Sequence, residues 1–158
     1  MADKIRYEID LTAQIATGAG PELRSIRKDD TERLAGLMLD AYIGTIDYEG
    51  EGIEEATSEV ESFFNEGQPL LEHSLVVEID GSIASAVLIS EVSGSPFIGY
   101  VMTRRANKNQ GLARLVTQAA LSGLAAAGYE KTVLYITEGN APSESLFRSL
   151  GARPLPAA

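Results

Sequence analysis

The sequence contains no cysteine, no tryptophan and a single histidine, His73. Without thiols the chain makes no disulfide, no thiolate metal site and no cysteine nucleophile. One imidazole does not build a metal site alone, so none is expected. No apolar run approaches the roughly 20 residues of a membrane span, and the N-terminus lacks the apolar core of a signal peptide. These absences set the expectation of a soluble, cytoplasmic protein with no membrane partner. Positive charge is missing from a long block. All 13 Lys and Arg lie outside the stretch from Leu34 to Thr103, which holds Asp40, Asp47, Glu49, Glu51, Glu59, Glu91 and further acids. A net charge of −10 speaks against nucleic acid as a partner. The asymmetry suits solubility, and equally an anionic ligand at the basic end with a cationic one at the acidic end.

What is present fits one domain: 158 residues, 44% hydrophobic, enough for a core of its own. Ile5, Tyr7, Ile9 and Leu11 alternate with Arg6, Glu8 and Asp10, a strand pattern. Residues 12–22 are small, polar and Gly-rich and read as a loop, so residues 1–22 form an N-terminal extension with an extra strand. The domain proper covers residues 23–158. Asp29 caps a helix, with Glu32 three residues on; Leu34, Leu37, Met38, Ala41 and Tyr42 follow helical spacing. A polar loop from Gly44 to Gly52 leads to a second helix whose apolar face is Ile53, Ala56, Val60, Phe63 and Phe64. Three strands follow, 74–79, 82–92 and 97–103, with Asp80-Gly81 as a hairpin turn. A helix carrying Leu112, Leu115, Val116, Ala119, Ala120 and Leu124 precedes a strand over 131–137. A short helix begins at Asn140-Ala141-Pro142, where Asn caps and Pro fills the first turn. The fold class is α/β with a mixed sheet: an antiparallel meander, a strand–helix–strand unit and a final helix.

Between strand 97–103 and the following helix lies Arg104-Arg105-Ala106-Asn107-Lys108-Asn109-Gln110-Gly111-Leu112-Ala113-Arg114. A strand, a short basic loop and a helix start leave unpaired N–H groups and partial positive charge at the loop, an anion site. Gly111 lets backbone approach a ligand, and Ala113 is nearly as small. The P-loop and dinucleotide-binding glycine patterns are absent. The plainer reading is a tight turn with a solvated basic rim, or a phosphate-binding domain of another kind.

Lys108-Asn109-Gln110-Gly111-Leu112-Ala113 resembles the pyrophosphate loop of the GNAT superfamily of N-acetyltransferases, with Lys in place of the usual first Arg or Gln. A second stretch, Asn140 to Ala152, resembles that superfamily's later motif at Asn140, Leu146 and Gly151, nearly so at Ser143, and departs at Phe147 and Ala152. The element order from about residue 23 to 153 matches as well. The resemblance implies acetyl-CoA as co-substrate and transfer of its acetyl group to a primary amine, small or peptidyl. It places Val101, Met102 and Thr103 along the pantetheine arm. The pyrophosphate falls to Lys108, Asn109, Gln110, Gly111, Leu112, Ala113 and Arg114; Ser143 and Phe147 also bind the cofactor, and Asn140 contacts the cofactor or the acceptor near the thioester. The strand residues also read as core, and Asn140 as a helix cap.

The family's general acid is a Tyr where this chain has Phe147, and its base Glu falls on Phe97. Substitutes are Tyr100, Glu91 and Asn140 as catalytic candidates. Tyr42, Asp47, Tyr48 and Glu51 flank or occupy the loop that lines the acceptor site in the superfamily. The acid-rich loop implies a cationic amine. An acyl-CoA-binding sensor or interaction module without catalysis is the alternative, since both usual acid–base residues are missing. The superfamily covers the outer edge of strand 131–137 with strands after the last helix, which here is followed only by Pro-broken residues. The strand at residues 5–11 is expected to cover that edge, in its own subunit or swapped from a homodimer partner.

Overall fold

The computed structural model describes residues 3–13 and 23–156; most of the expected loop over 12–22 lies outside them. In chain order the elements are β1 (Lys4–Asp10), β2 (Leu23–Ser25), α1 (Thr31–Tyr42), α2 (Ile53–Asn65), β3 (Leu75–Ile79), β4 (Ser82–Val92), β5 (Ser95–Thr103), α3 (Leu112–Ala126), β6 (Lys131–Thr137), α4 (Ala141–Ser149) and β7 (Arg153–Pro154). They form one seven-stranded sheet of order β2-β3-β4-β5-β6-β1-β7.

The meander turns as its sequence dictates. Asp80 and Gly81 both take positive φ (51° and 79°), as do Ser93 and Gly94 (51° and 80°), the backbone a two-residue hairpin needs. Residues 83–90 of β4 are all buried, because helices cover the sheet on both sides of this central strand. On one face Val77, Val87, Ile89, Ile98 and Leu134 pack with Val116, Leu121 and Leu124 of α3. On the other Val76, Ala86, Leu88 and Met102 pack with Leu34, Met38, Val60 and Phe63 of α1 and α2. Ile53, expected on the apolar face of α2, is 49% exposed, since it stands at the helix's first turn.

β1 pairs antiparallel with β6 along its whole length, from Lys4 opposite Thr137 to Asp10 opposite Lys131. Its alternation sends Tyr7, Ile9 and Leu11 into the α3 core. Residues 1–22 thus include a strand integral to the domain's sheet, paired within one chain. β7 adds two residues outside it, Pro154 and Arg153 opposite Tyr7 and Glu8.

The start of α1 differs from expectation. Asp30, not Asp29, is the N-cap, and it is 1% exposed. Its carboxylate accepts from Arg24 (2.8 and 2.9 Å), from Arg33 (2.8 Å) and from the Arg27 N–H (2.8 Å). Burial alone would raise its pKa, but these donors outweigh it and hold the carboxyl well below the usual carboxylate range. A depressed folded pKa contributes stability that is complete above the unfolded value near 4 and is lost as pH falls below it. Asp30→Asn is therefore expected to lower stability at pH 7 by roughly 3 kcal/mol, the low end for removing one partner of a buried ion pair. It should also flatten the acid limb of the Tm–pH curve. An unchanged Tm at pH 7 would show that the cluster is dispensable.

Candidate functional site: a parted pair of strands under an N–H-lined loop

β5 and β6 run parallel but pair only at Phe97–Val133 and Ile98–Leu134. Beyond Ile98 they part. The parting coincides with a bulge: Leu88 faces Tyr100 while Ile89 faces Ile98, leaving Gly99 as an extra residue in β5. Past the bulge, Arg104 donates its N–H to the Ala84 carbonyl at 2.8 Å. In an antiparallel ladder such pairs alternate, so Tyr100 and Met102 turn their backbones to β4, and Val101 and Thr103 turn theirs into the gap. Of the three strand residues expected along a ligand, Val101 and Thr103 offer backbone donors and acceptors. Met102 does not; its side chain is core, 1% exposed.

The gap leads to the loop before α3. Asn109 and Gly111 both have positive φ (66° and 79°), and Gly111 is the helix N-cap. Among the described residues no acceptor takes the backbone N–H groups of residues 109–114. They form a cradle at the positive end of the helix dipole. The basic side chains do other work than their crowding suggests. The Arg105 N–H and Nε bond Asp40 (2.8 and 3.3 Å), Lys108 Nζ donates to the Ala41 carbonyl (3.1 Å), Arg104 Nε to Asn107 (2.9 Å), and Arg114 to Ser149. Arg105 and Lys108 thereby fasten the loop to the C-terminal end of α1.

On the other side of the gap, the loop between α1 and α2 is fastened by Asp47. One carboxylate oxygen accepts from the Thr137 hydroxyl at 2.6 Å and the other from the Asn140 amide at 3.2 Å. Asn140 also caps α4, its side-chain oxygen taking the Ser143 N–H at 3.3 Å. Near Asp47 stands Tyr42, whose hydroxyl is pushed up to about 12 by burial, then by the charges of Asp47 and Glu59. Tyr100 donates its hydroxyl to Glu59 of α2, and its pKa is raised by burial and by that carboxylate.

The structure thus brings together Tyr42, Asp47, Tyr100 and Asn140 from the sequence candidates, with Thr137 and Glu59 added. It does not bring in Glu91, which sits opposite Pro96 at the far end of the β4–β5 hairpin. That is about 13 Å along the strand from Tyr100 at 3.3 Å per residue. Tyr48 and Glu51 bond within their own loop, the Tyr48 hydroxyl to the Glu51 carbonyl (3.1 Å) and the Glu49 N–H to the Glu51 carboxylate (3.1 Å). Phe147, expected against a cofactor, is a core residue at 5% exposure.

A groove between parted strands, edged by free strand backbone and closed by an N–H cradle, has the chemistry to match a ligand with amide groups along its length and phosphate at its end. The chain matches the FR47-like protein family over residues 80–156, the half containing this groove. A GCN5-related N-acetyltransferase from Sphaerobacter thermophilus superposes with a TM-score of 0.74 at 22% identity, covering 98% of this chain and 49% of its own. The fold is that of the GNAT superfamily. The ribosomal-protein-S18-alanine N-acetyltransferase of Escherichia coli shares this GNAT fold (TM-score 0.68, 16% identity, 87% of this chain and 95% of that one). So does a GNAT family acetyltransferase from Brucella melitensis in complex with acetyl-CoA (TM-score 0.62, 21% identity, 78% and 80%). No curated protein sequence matches the chain, and the chain spans about half the length of the Sphaerobacter protein. Among the described residues, no helix is long and apolar enough to cross a membrane and no three acidic or His residues group to hold a metal.

Sequence reading missed Glu59 and Thr137. Glu59 is one of several acids on α2, and nothing in helical spacing distinguishes it. Thr137 closes a strand whose apolar residues drew the attention.

Proposed function

We propose that the protein is an acetyl-CoA-dependent N-acetyltransferase whose acceptor is a primary, cationic amine, small or peptidyl. The observation that carries this reading is the parting of β5 and β6 at the Gly99 bulge, beneath the free N–H groups of residues 109–114. Val101 and Thr103 hold the pantetheine arm by strand-like pairing, and residues 109–114 hold the pyrophosphate. The thioester then lies near Gly99 and Tyr100, facing Tyr42, Asp47 and Asn140. When bound, acetyl-CoA supplies an acyl carbon activated by a good thiolate leaving group. The protein supplies orientation and hydrogen-bond donors at the developing oxyanion. Thiol release from acetyl-CoA in the presence of a panel of primary amines tests the reading. A protein that binds acetyl-CoA yet acetylates none of them is instead a non-catalytic binding module.

Acceptor charge is tested by salt. Asp47, Glu49, Glu51 and Glu59 lie in a stretch without Lys or Arg from residue 34 to 103, so acids outnumber the two cations, Arg105 and Lys108, that reach the end of α1, and the acceptor side is net negative. For the preferred amine, kcat/KM is expected to fall several-fold as ionic strength rises from about 0.01 to 0.15 M, where the Debye length shrinks from about 30 to 8 Å. A preferred acceptor that is neutral or anionic apart from its amine, with no salt effect, refutes the charge assignment.

A further inference from the structure

The superfamily's usual acid and base positions hold Phe147 and Phe97 here, neither with a proton to move. A hydrogen-bonded pair of titratable groups nevertheless stands at the gap. Tyr100 lies two residues beyond the last β5–β6 pair, at Ile98–Leu134, on the strand edge just past the bulge. Its hydroxyl donates to Glu59. Glu59 is exposed on α2 and has no ion-pair partner among the described residues. The groups beside the pair are Tyr42 from α1, next to it Asp47 from the α1–α2 loop, and Glu54 and Glu55 of α2 itself. None of these is cationic. One end of the pair touches solvent and the other reaches the parted strands.

We propose that Glu59 and Tyr100 form the proton path of the transfer, a role that rests on the acetyltransferase reading above. The acceptor arrives as an ammonium ion and releases one proton to bulk solvent. The neutral amine attacks the thioester carbonyl carbon; the new C–N bond forms and the carbonyl π pair moves to oxygen. The second nitrogen proton passes, directly or through one water, to the Glu59 carboxylate. The oxyanion re-forms the carbonyl and the C–S bond breaks, its electron pair leaving on sulfur. Glu59, now protonated, donates to the Tyr100 oxygen as Tyr100 gives its own proton to the thiolate. Amide, CoA thiol and an ionised Glu59 result, with Tyr100 restored. Tyr100 touches the reacting sulfur and is the catalytic residue; Glu59 is the reservoir behind it. Burial raises the Tyr100 pKa first and the Glu59 carboxylate second; the second of these is gone at the moment Tyr100 must give its proton, because Glu59 is then neutral.

The test uses the full chain with acetyl-CoA and three amine probes: spermidine, a peptide with N-terminal alanine, and lysine. Glu59→Gln keeps size and still accepts the Tyr100 hydrogen bond, but takes no proton. Tyr100→Phe removes the hydroxyl alone. Each is expected to lower kcat by about 100-fold, the lower range for general acid–base catalysis, while acetyl-CoA affinity by calorimetry and acceptor KM stay within about twofold, since binding groups are untouched. Residues acting as a unit are non-additive, so the double variant should be no slower than the worse single one. Glu59→Asp should recover part of the rate, a rescue that a merely structural role for Glu59 would not give. Wild-type kcat in Glu59→Gln overturns the proton path and leaves the acetyltransferase reading standing. A wild-type protein that binds acetyl-CoA but acetylates none of the probes overturns both.

Discussion

Gly111→Glu is expected to abolish acetyl-CoA binding, with no heat detected by calorimetry at concentrations that saturate the wild type, while the domain still folds. The two halves of that expectation have separate causes. Gly111 is exposed, and a Cβ there meets nothing within 4 Å, so no core is disturbed. Its φ of 79° is strained for any L side chain, which adds about 1–2 kcal/mol and lowers Tm by a few degrees. The carboxylate, however, stands among the N–H groups of residues 109–114, satisfies them from within the chain, and repels the pyrophosphate at short range. Gly111→Ala separates the effects, because it carries the strain without the charge. It should bind acetyl-CoA more weakly than wild type but far better than the Glu variant. Wild-type affinity in Gly111→Glu would remove the cradle as the phosphate site.

The second large effect is on stability. A chain lacking residues 1–13 is expected to be insoluble or to melt far below the full protein. Tyr7, Ile9 and Leu11 are 3%, 0% and 0% exposed. At about 1.5–3 kcal/mol per fully buried side chain, losing all three removes about 5–9 kcal/mol, comparable to the 5–15 kcal/mol that holds a typical domain folded. Removal also bares the edge of β6, whose N–H and C=O groups then invite pairing with other chains. A truncated protein that elutes and melts like the parent would mean that this strand is ornamental. Ile9→Ala is a milder version, expected to lose about 2–5 kcal/mol without baring the edge.

Local features were legible in the sequence because their causes are local. The hairpin at Asp80-Gly81 and the cap at Asn140 both follow from a few adjacent residues. The alternation at residues 5–11 was enough to give β1, and an otherwise bare edge gave its partner. What failed depended on distance in sequence. Glu91 looked well placed only because its strand was known and its position along that strand relative to the bulge was not. Tyr100 and Glu59 are 41 residues apart, and Asp47 and Asn140 are 93 apart. No periodicity couples such pairs; only the crossing of α2 over the end of β5, and of the α1–α2 loop over β6, brings them together. Asp30 displaced Asp29 because the neighbouring strand β2 brings Arg24 to one side of the pair, a contact no capping rule contains.

The placement of β1 has a bearing on how the molecule comes into being. Lys4 meets Thr137 and Asp10 meets Lys131, so β1 waits for a strand made about 120 residues after it. At about 5–20 residues per second on a ribosome the wait lasts about 6–24 s. Throughout it the backbone groups of β1 have no native strand to pair with. The meander and its helices assemble from contacts close in sequence, whereas the β6–β1–β7 half closes a loop spanning almost the whole chain, the slowest kind of contact to make. The newborn chain therefore has an interval in which holdase protection matters, and variation that slows translation through β6 lengthens it.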